Sequence, residues 1–267
     1  MPGIDEFSAK SLYIEIYYQR QQLSVATGFV VKQGDTSYLI TNWHVVTMRN
    51  PQDNQPILPT AAQDPDRIRI WFHGLTLGLW VQKEILIRNQ TGKLWLEHER
   101  GREIDVVAIP LPNMNDVTHY PIDLALANFD LMLYPSEDVS IIGFPIGLTS
   151  AGKLPIWKTG HIASDIDIDW GEKPAFLIDA TTKSGMSGSP VIAKRVSIYQ
   201  SSRGNVVGNA VKFLGVYSGR EISDDGIEIG FVWKARVIPE IISAARALEQ
   251  NHDKPSPTHP VTSKTFL

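Results

Sequence analysis

Apolar and polar positions alternate over short stretches along most of the chain, a period typical of β-strands. Residues 67–72 alternate for most of their length, and residues 12–18 are rich in β-branched and aromatic side chains. Gly34 and Asp35 predict a tight turn between two such runs. Further strands are predicted at 26–31, 38–41, 81–87, 104–109, 138–144, 155–163, 175–180, 189–193, 206–217 and 227–234. Many short strands separated by glycine and proline predict an all-β sandwich or barrel.

Other segments depart from this pattern and suggest how the chain is divided. Residues 50–66 are rich in Pro, Asp, Asn and Gln and predict a long surface loop. Apolar positions over 237–249 are spaced as in one amphipathic helix, with Pro239 tolerated in the first turn. A plausible linker at 111–116 divides the strands into two halves. The predicted units are an N-terminal extension (1–10), a first barrel (11–115), a second barrel (116–236), a C-terminal helix (237–249) and a disordered tail (250–267).

Composition excludes several classes of protein. The chain has 267 residues, 43% of them hydrophobic and 20% charged, with a net charge of −4. No basic block favours a nucleic acid, and no apolar stretch approaches the roughly 18 residues that span a bilayer. Acidic residues near the N-terminus and no apolar segment after them predict a cytoplasmic protein, or a mature or trimmed one. Cysteine is absent, which excludes disulfides, a cysteine nucleophile and thiolate metal sites.

One glycine-rich segment suggests covalent chemistry. Residues 184–190 read Ser-Gly-Met-Ser-Gly-Ser-Pro, so that Ser187 lies in a run with Gly185 and Gly188. Glycines allow a tight turn whose backbone N–H groups can approach a ligand, which is the setting that a nucleophilic serine needs. Taken alone, the segment fits a plain β-turn equally well.

A serine nucleophile needs a histidine base, and the histidine needs an acid to fix its tautomer. His44 follows a predicted strand directly, where the chain changes direction. Asp105 heads an apolar strand and needs a partner such as the imidazole N–H of His44. The rival acid, Asp123, is better explained as a turn or edge residue. The other histidines lie in the tail (His252, His259) or in turn and exposed-strand surroundings typical of solvated or structural side chains (His73, His98, His119, His161).

Three motifs occur in the chain order histidine, aspartate, serine. They are Thr41-Asn42-Trp43-His44, Ile104-Asp105-Val106-Val107 and Gly185-Met186-Ser187-Gly188-Ser189-Pro190. This ordered set resembles the chymotrypsin/trypsin-like serine peptidases, most of all the bacterial trypsin-like peptidase domains, including the protease domain of HtrA-type enzymes. Segments 141–147, 159–164 and 215–219 are also similar to strands and loops of these domains. The resemblance extends from about residue 11 to residue 249.

The resemblance implies a double six-stranded β-barrel with a C-terminal α-helix and the active site in the cleft between the barrels. Ser187 would be the nucleophile, His44 the general base and Asp105 the residue that orients it. The family's oxyanion hole maps to the N–H groups of Gly185 and Ser187, and its substrate-pairing strand to Ser218, Gly219 and Arg220, with Ser218 supporting Asp105. The implied activity is that of a serine endopeptidase acting on polypeptides through an acyl-enzyme, without a metal or organic cofactor.

The chain departs from the family at two positions. Met186 stands where the animal digestive enzymes have an aspartate that captures a freed N-terminus, and methionine cannot form that ion pair. Arg220 stands where the family often has glycine, which puts easy substrate entry in doubt. The pocket base would lie at Thr181 and Thr182, which are uncharged and favour a small or medium uncharged residue before the cleaved bond.

Two alternatives stay open. The same barrels could form a non-catalytic protein-binding module, although the chain keeps all three triad residues. The alternating run Asp165-Ile166-Asp167-Ile168-Asp169 could bind calcium, but a strand with one acidic face is simpler, and the calcium-loop spacing fails at Gly171 and Phe176. No PDZ-like domain is seen after residue 249, so HtrA-style oligomeric quality control is not expected. Because no zymogen device is apparent, control by restricted access is expected instead, through the 50–66 loop or a regulatory protein partner.

Overall fold

Short antiparallel strands make up most of the computed structural model, which describes residues 3–58, 64–222 and 228–252. Three α-helices lie among them: α1 (Glu6–Lys10), α2 (Trp43–Thr47) and α3 (Val237–His252), with 3₁₀ turns at Gly101–Glu103, Leu124–Asn128 and Pro145–Gly147. The strands are β1 (Ser11–Tyr18), β2 (Gln21–Gln33), β3 (Thr36–Thr41), β4 (Arg67–Gly74), β5 (Trp80–Leu86), β6 (Arg88–Asn89), β7 (Gly92–Lys93), β8 (Leu96–Glu97), β9 (Val107–Pro110), β10 (Val117–Thr118), β11 (Asp138–Gly143), β12 (Ile156–Ile162), β13 (Ala175–Asp179), β14 (Pro190–Arg195), β15 (Ile198–Ser201), β16 (Gly204–Val207), β17 (Ala210–Ile222) and β18 (Glu228–Lys234).

The N-terminal half forms an eight-stranded sheet in the order β10-β4-β1-β2-β3-β9-β8, with β5 paired to β4. Six of these strands are long enough to build a barrel wall, whereas β8 and β10 have only two residues each. The β2–β3 hairpin turns at Gly34 and Asp35, as the sequence predicts, and places Gln33 opposite Thr36.

The C-terminal half closes into a six-stranded barrel in the order β11-β12-β13-β18-β17-β14. A closed barrel leaves its strands without unpaired edges. A separate two-stranded hairpin, β15–β16, lies between β14 and β17 in the chain. The predicted all-β double barrel with a C-terminal helix is therefore confirmed.

Apolar side chains gather in three cores rather than one. The first lies among strands of the N-terminal sheet and includes Ile14, Leu39 and Val107. The second lies inside the closed barrel and includes Phe176 and Tyr217. The third joins both halves to helices α1 and α3; it includes Phe7, Phe29, Ile142, Phe213, Ile238 and Ile241.

Several boundaries differ from those predicted. The strand predicted over 104–109 begins only at Val107, as β9, so residues 104–106 precede it. Helix α3 continues to His252, three residues into the predicted tail. The rest of that tail and residues 59–63 of the predicted loop lie outside the described residues. The 1–10 extension contains helix α1, whose Phe7 is buried in the third core.

The prediction of a strand over residues 165–169 is wrong. The segment is a turn, in which the N–H of Ile168 donates to the carbonyl of Asp165 at 3.2 Å. Strands β12 and β13 are antiparallel neighbours, so the chain must reverse between them. Alternation of aspartate and isoleucine was not enough to specify a strand where the topology requires a connection.

None of the helices in the described ranges combines the length and the apolar character needed to cross a membrane.

Candidate active site

Strand pairing brings His44 and Asp105 to one edge of the N-terminal sheet. Strand β3 ends at Thr41, which pairs with Val107 at the start of β9. His44 follows in the single turn of α2, and Asp105 lies two residues before Val107. Because the strands are antiparallel, the end of one meets the beginning of the other, and the two side chains face each other.

Asp105 is only 3% exposed and makes four polar contacts with the residues around it. Its Oδ2 lies 2.6 Å from His44 Nδ1, and its Oδ1 accepts the backbone N–H of His44 at 2.8 Å. The hydroxyl of Ser218 donates to Oδ2, and the Nδ2 of Asn42 donates to the Asp105 carbonyl at 2.6 Å. These bonds compensate for burial of the carboxylate and fix the imidazole with its Nδ1 toward Asp105.

The Ser187 loop connects β13 to β14 and is docked on the other barrel through Thr27 of β2. The N–H of Thr27 donates to the Ser187 carbonyl at 2.9 Å, and its hydroxyl donates to the Gly185 carbonyl at 2.8 Å. A side chain at Gly188 would begin 2.0 Å from the Thr27 carbonyl oxygen, and one at Gly185 would begin 2.3 Å from that of Phe144. Both glycines also have positive φ, of +84° and +94°. Only glycine fits these two positions.

Between Gly185 and Ser189, two backbone N–H groups have no hydrogen-bond acceptor among the described residues. Those of Met186, Gly188 and Ser189 donate to backbone carbonyls, whereas those of Gly185 and Ser187 donate to none. Free neighbouring N–H groups beside a serine hydroxyl can bind an anionic oxygen. The family resemblance assigns the oxyanion hole to the same two groups, and this assignment stays a prediction.

Strand β17 connects the serine to the histidine–aspartate pair. Ser218 donates its hydroxyl to Asp105, and a Cβ on the next residue, Gly219, would lie 4.0 Å from the Oγ of Ser187. Residues from both barrels therefore meet at this dipeptide. Hydrogen bonds join His44, Asp105 and Ser218, and Gly219 lies near Ser187, whereas no hydrogen bond joins the Ser187 hydroxyl to His44.

The predicted pocket base is divided between two environments. Thr181 is exposed, whereas Thr182 is buried and its hydroxyl is hydrogen-bonded to that of Tyr217. Met186 is buried in the second core and points away from solvent. The side chain of Arg220 lies outside the described residues.

The other histidines are structural or surface residues. His98 contacts Glu240 at 3.3 Å, and His161 contacts Asp138 at 3.1 Å. The expected exposed-strand or turn surroundings are wrong for His73, which is buried on β4 with its ring centre 4.1 Å from that of Trp80. Burial lowers the pKa of His73 and of His119 below the usual histidine range. His252 ends α3, and His259 lies outside the described residues.

The rejected acids have structural partners. Asp123 accepts the N–H of Ala125 at 2.9 Å and begins a 3₁₀ turn. Asp169 forms an ion pair with Lys234 at 2.7 Å and another with Arg236, and these contacts lower the pKa of its carboxyl despite its desolvation. No group of three His, Asp or Glu side chains in the described ranges is placed to hold a metal ion.

Sequence reasoning missed three residues that shape the site. Thr27 docks the Ser187 loop, Asn42 braces the backbone of Asp105, and Tyr217 occupies the space beside Thr182. The signal for Asn42 was a polar residue at the end of an apolar strand, two positions before His44. Thr27 and Tyr217 lie inside apolar strands, where nothing in the sequence separates them from core residues.

The chain matches the family model of the trypsin-like peptidase domain over residues 26–198. This range is more than half of the chain and contains His44, Asp105 and Ser187, so the chain belongs to the trypsin-like peptidase domain family. No curated protein matches it. Among solved structures it is similar to the serine endoprotease from Yersinia pestis, with 15% identity and a TM-score of 0.49, over 91% of this chain and 67% of that one.

Proposed function

We propose that the protein is a serine endopeptidase that cleaves polypeptides through a covalent acyl-enzyme intermediate. Membership of the trypsin-like peptidase family supports a peptidase-like function. The observation that carries the proposal is the Ser218–Gly219 dipeptide. Ser218 is hydrogen-bonded to Asp105, and a Cβ added to Gly219 would lie 4.0 Å from the Oγ of Ser187.

In the proposed reaction, the Oγ of Ser187 attacks the scissile carbonyl carbon while the Nε2 of His44 takes the hydroxyl proton. Asp105 accepts the Nδ1–H of His44, which keeps Nε2 free to act as base and stabilises the imidazolium that forms. His44 then gives the proton to the leaving amine, and the peptide bond breaks to leave an ester on Ser187. Water activated by His44 hydrolyses the ester and restores the hydroxyl.

The N–H groups of Gly185 and Ser187, which have no hydrogen-bond acceptor in the described residues, would stabilise the transition state. The negative charge that develops on the carbonyl oxygen would be held by the N–H groups of Gly185 and Ser187. The glycine conformation fixes their direction before the substrate arrives. Preorganised donors of this kind need no rearrangement during the reaction.

Substrate binding is proposed along β17. An extended polypeptide would pair with the backbone of residues 218–220 as an added strand, which presents its carbonyl to Ser187. Binding through the backbone leaves the choice of side chain to the adjoining pocket. No step of this mechanism uses a metal or an organic cofactor.

Labelling with a fluorophosphonate probe tests the proposal, because the probe reacts only with an activated serine. We expect the purified protein to gain one probe mass, located on Ser187 by peptide mapping. Ser187→Ala should remove the label and lower peptide turnover by a factor of the order of a million.

Ser184→Ala is the matched control, since it removes an exposed serine of the same loop and should leave labelling intact. A wild-type protein that stays unlabelled, with no turnover of any peptide, would contradict the proposal. It would favour a non-catalytic binding module on the same barrels.

A further inference from the structure

The residue that precedes the cleaved bond must place its side chain beside Ser187, because its carbonyl carbon bonds to the serine oxygen. A Cβ added to Gly219 would lie 4.0 Å from the Oγ of Ser187, so this position borders strand β17. Met186, which precedes Ser187, belongs to the second core. The size of the accepted side chain therefore depends on what fills the top of that core.

Tyr217 is a member of this core that adjoins the serine loop. It directly precedes Ser218 and Gly219, and its backbone is bonded to the serine loop on both sides: its N–H donates to the Ser189 carbonyl and its carbonyl accepts the N–H of Gly188, each at 2.9 Å. Its side chain belongs to the same core as Met186 and is only 1% exposed.

The phenol of Tyr217 is fixed at its far end as well. Its hydroxyl is hydrogen-bonded to that of Thr182, which is itself buried. Along its length the ring passes Gly230, where a Cβ would lie 2.9 Å from Cε2. Swinging the ring aside would break a buried hydrogen bond and press the ring against a strand backbone, so the ring cannot yield to a large substrate side chain.

We propose that Tyr217, with Thr182, forms the floor of the acyl-side pocket and restricts the residue before the cleaved bond to glycine, alanine or serine. This inference rests on the proposed peptidase function. The floor presents a phenol ring and two hydroxyls joined by a hydrogen bond, and neither side chain has a carboxylate that could pair with a lysine or arginine side chain. A leucine or phenylalanine side chain would need the volume that the phenol occupies.

The test measures kcat/KM on matched peptides that differ only in the residue before the cleaved bond, from alanine through leucine to phenylalanine. For the wild type we expect alanine to be preferred over leucine by at least about ten-fold, the discrimination typical of a steric limit in an apolar pocket. Tyr217→Val should change the leucine-to-alanine ratio at least ten-fold in favour of leucine, because it removes the ring.

Tyr217→Phe is the matched control. It keeps the ring and loses only the hydroxyl, so the wild-type preference for alanine should persist. If Tyr217→Val does not fold, the wild type still gives an answer: a peptide aldehyde ending in alanine should inhibit at least ten-fold more strongly than one ending in phenylalanine.

Two results would overturn the inference while leaving the proposed function intact. One is a wild type that labels with fluorophosphonate and cleaves after phenylalanine as well as after alanine. The other is a folded, labelled Tyr217→Val with an unchanged ratio. If the wild type neither labels nor cleaves any peptide, the proposed peptidase function is contradicted, and the pocket inference that rests on it is contradicted as well.

Discussion

The two halves of the candidate site are held in different ways. Asp105 and His44 are fixed by bonds between side chains and backbone, including those from Asn42 and Ser218. The Ser187 loop is fixed by its backbone, through glycines whose missing side chains leave room for carbonyl oxygens of neighbouring segments. The histidine–aspartate half depends on several separate hydrogen bonds, whereas the serine half depends on one closely packed backbone conformation.

This difference determines how each half should respond to change. A network loses function in steps, because each bond contributes separately and the remaining ones hold the geometry. A loop that depends on close backbone contact should lose its function all at once, because a Cβ at either glycine would displace the whole turn. The variants below test this contrast, from the largest expected effect to the smallest.

Asp105→Asn breaks the side-chain network at its centre. Asparagine keeps the volume, but its amide directs an N–H group at His44 and favours the wrong tautomer of the imidazole. We expect kcat to fall by about ten-thousand-fold on a peptide substrate while the melting temperature changes little. A fall smaller than ten-fold would show that Asp105 does not orient the base.

Gly188→Ala breaks the backbone half. Its Cβ would begin 2.0 Å from the Thr27 carbonyl, and its φ of +84° disfavours any L side chain. We expect the free energy of unfolding to fall by at least about 3 kcal/mol in urea titration, together with loss of fluorophosphonate labelling.

Gly78→Ala separates the two causes of the stability loss expected for Gly188→Ala, which are the steric contact with Thr27 and the positive φ. Gly78 has a similar φ of +92° with nothing within 4 Å of its Cβ position, so only the conformational cost remains. A loss of about 1 kcal/mol is expected. Equal losses for Gly78→Ala and Gly188→Ala would mean that close packing on Thr27 is unimportant.

Ser218→Ala removes one bond of the network and leaves three. Because the lost bond is to a charged acceptor, kcat/KM should fall by about ten- to a hundred-fold. Ser218→Thr keeps a hydroxyl and should recover part of this loss. An effect as large as that of Asp105→Asn would refute the view that the network is separable.

Ile146→Gly should have the smallest effect, and it should stabilise. Ile146 holds a φ of +48° beside the serine loop, with its N–H donated to the Ser184 carbonyl at 2.6 Å, and its side chain is 65% exposed. A β-branched residue is strained there, so glycine should raise the free energy of unfolding by about 1 kcal/mol.

Leu148→Gly is the comparison for Ile146→Gly. Leu148 is 55% exposed, but its φ is −67°, so glycine relieves no strain and adds freedom to the unfolded chain. Urea titration should give a small loss of stability. If both variants changed the free energy of unfolding in the same direction, the backbone of Ile146 would not be strained.

The sequence was sufficient for the strands whose pattern reflects a local requirement. Strands such as β4 have one face buried and one face partly solvated, and the alternation of residues 67–72 records this directly. The Ser187 loop was recognisable because its glycines cannot be replaced where they lie. His44 and Asp105 were found because a buried acid needs a partner, and the structure provides it.

What could not be predicted depends on contacts between distant segments. The acidic residues 165–169 alternate like a strand, but the antiparallel pairing of β12 with β13 turns them into a connection. His73 carries no local sign of burial, because its ring packs between Trp80 of the neighbouring strand β5 and Tyr120, which is distant in the chain. Thr27 and Tyr217 acquire their roles only when the two barrels meet.

The third core has a consequence for the order in which the protein assembles. Phe7 packs in one cluster with Ile238 and Ile241, so this cluster unites segments from nearly opposite parts of the chain. Contacts of such long sequence separation form late, because closing a long loop costs entropy before any packing is gained. The barrels can each acquire their hydrogen bonds earlier. We therefore expect helix α3 to dock late in folding, after both barrels have formed.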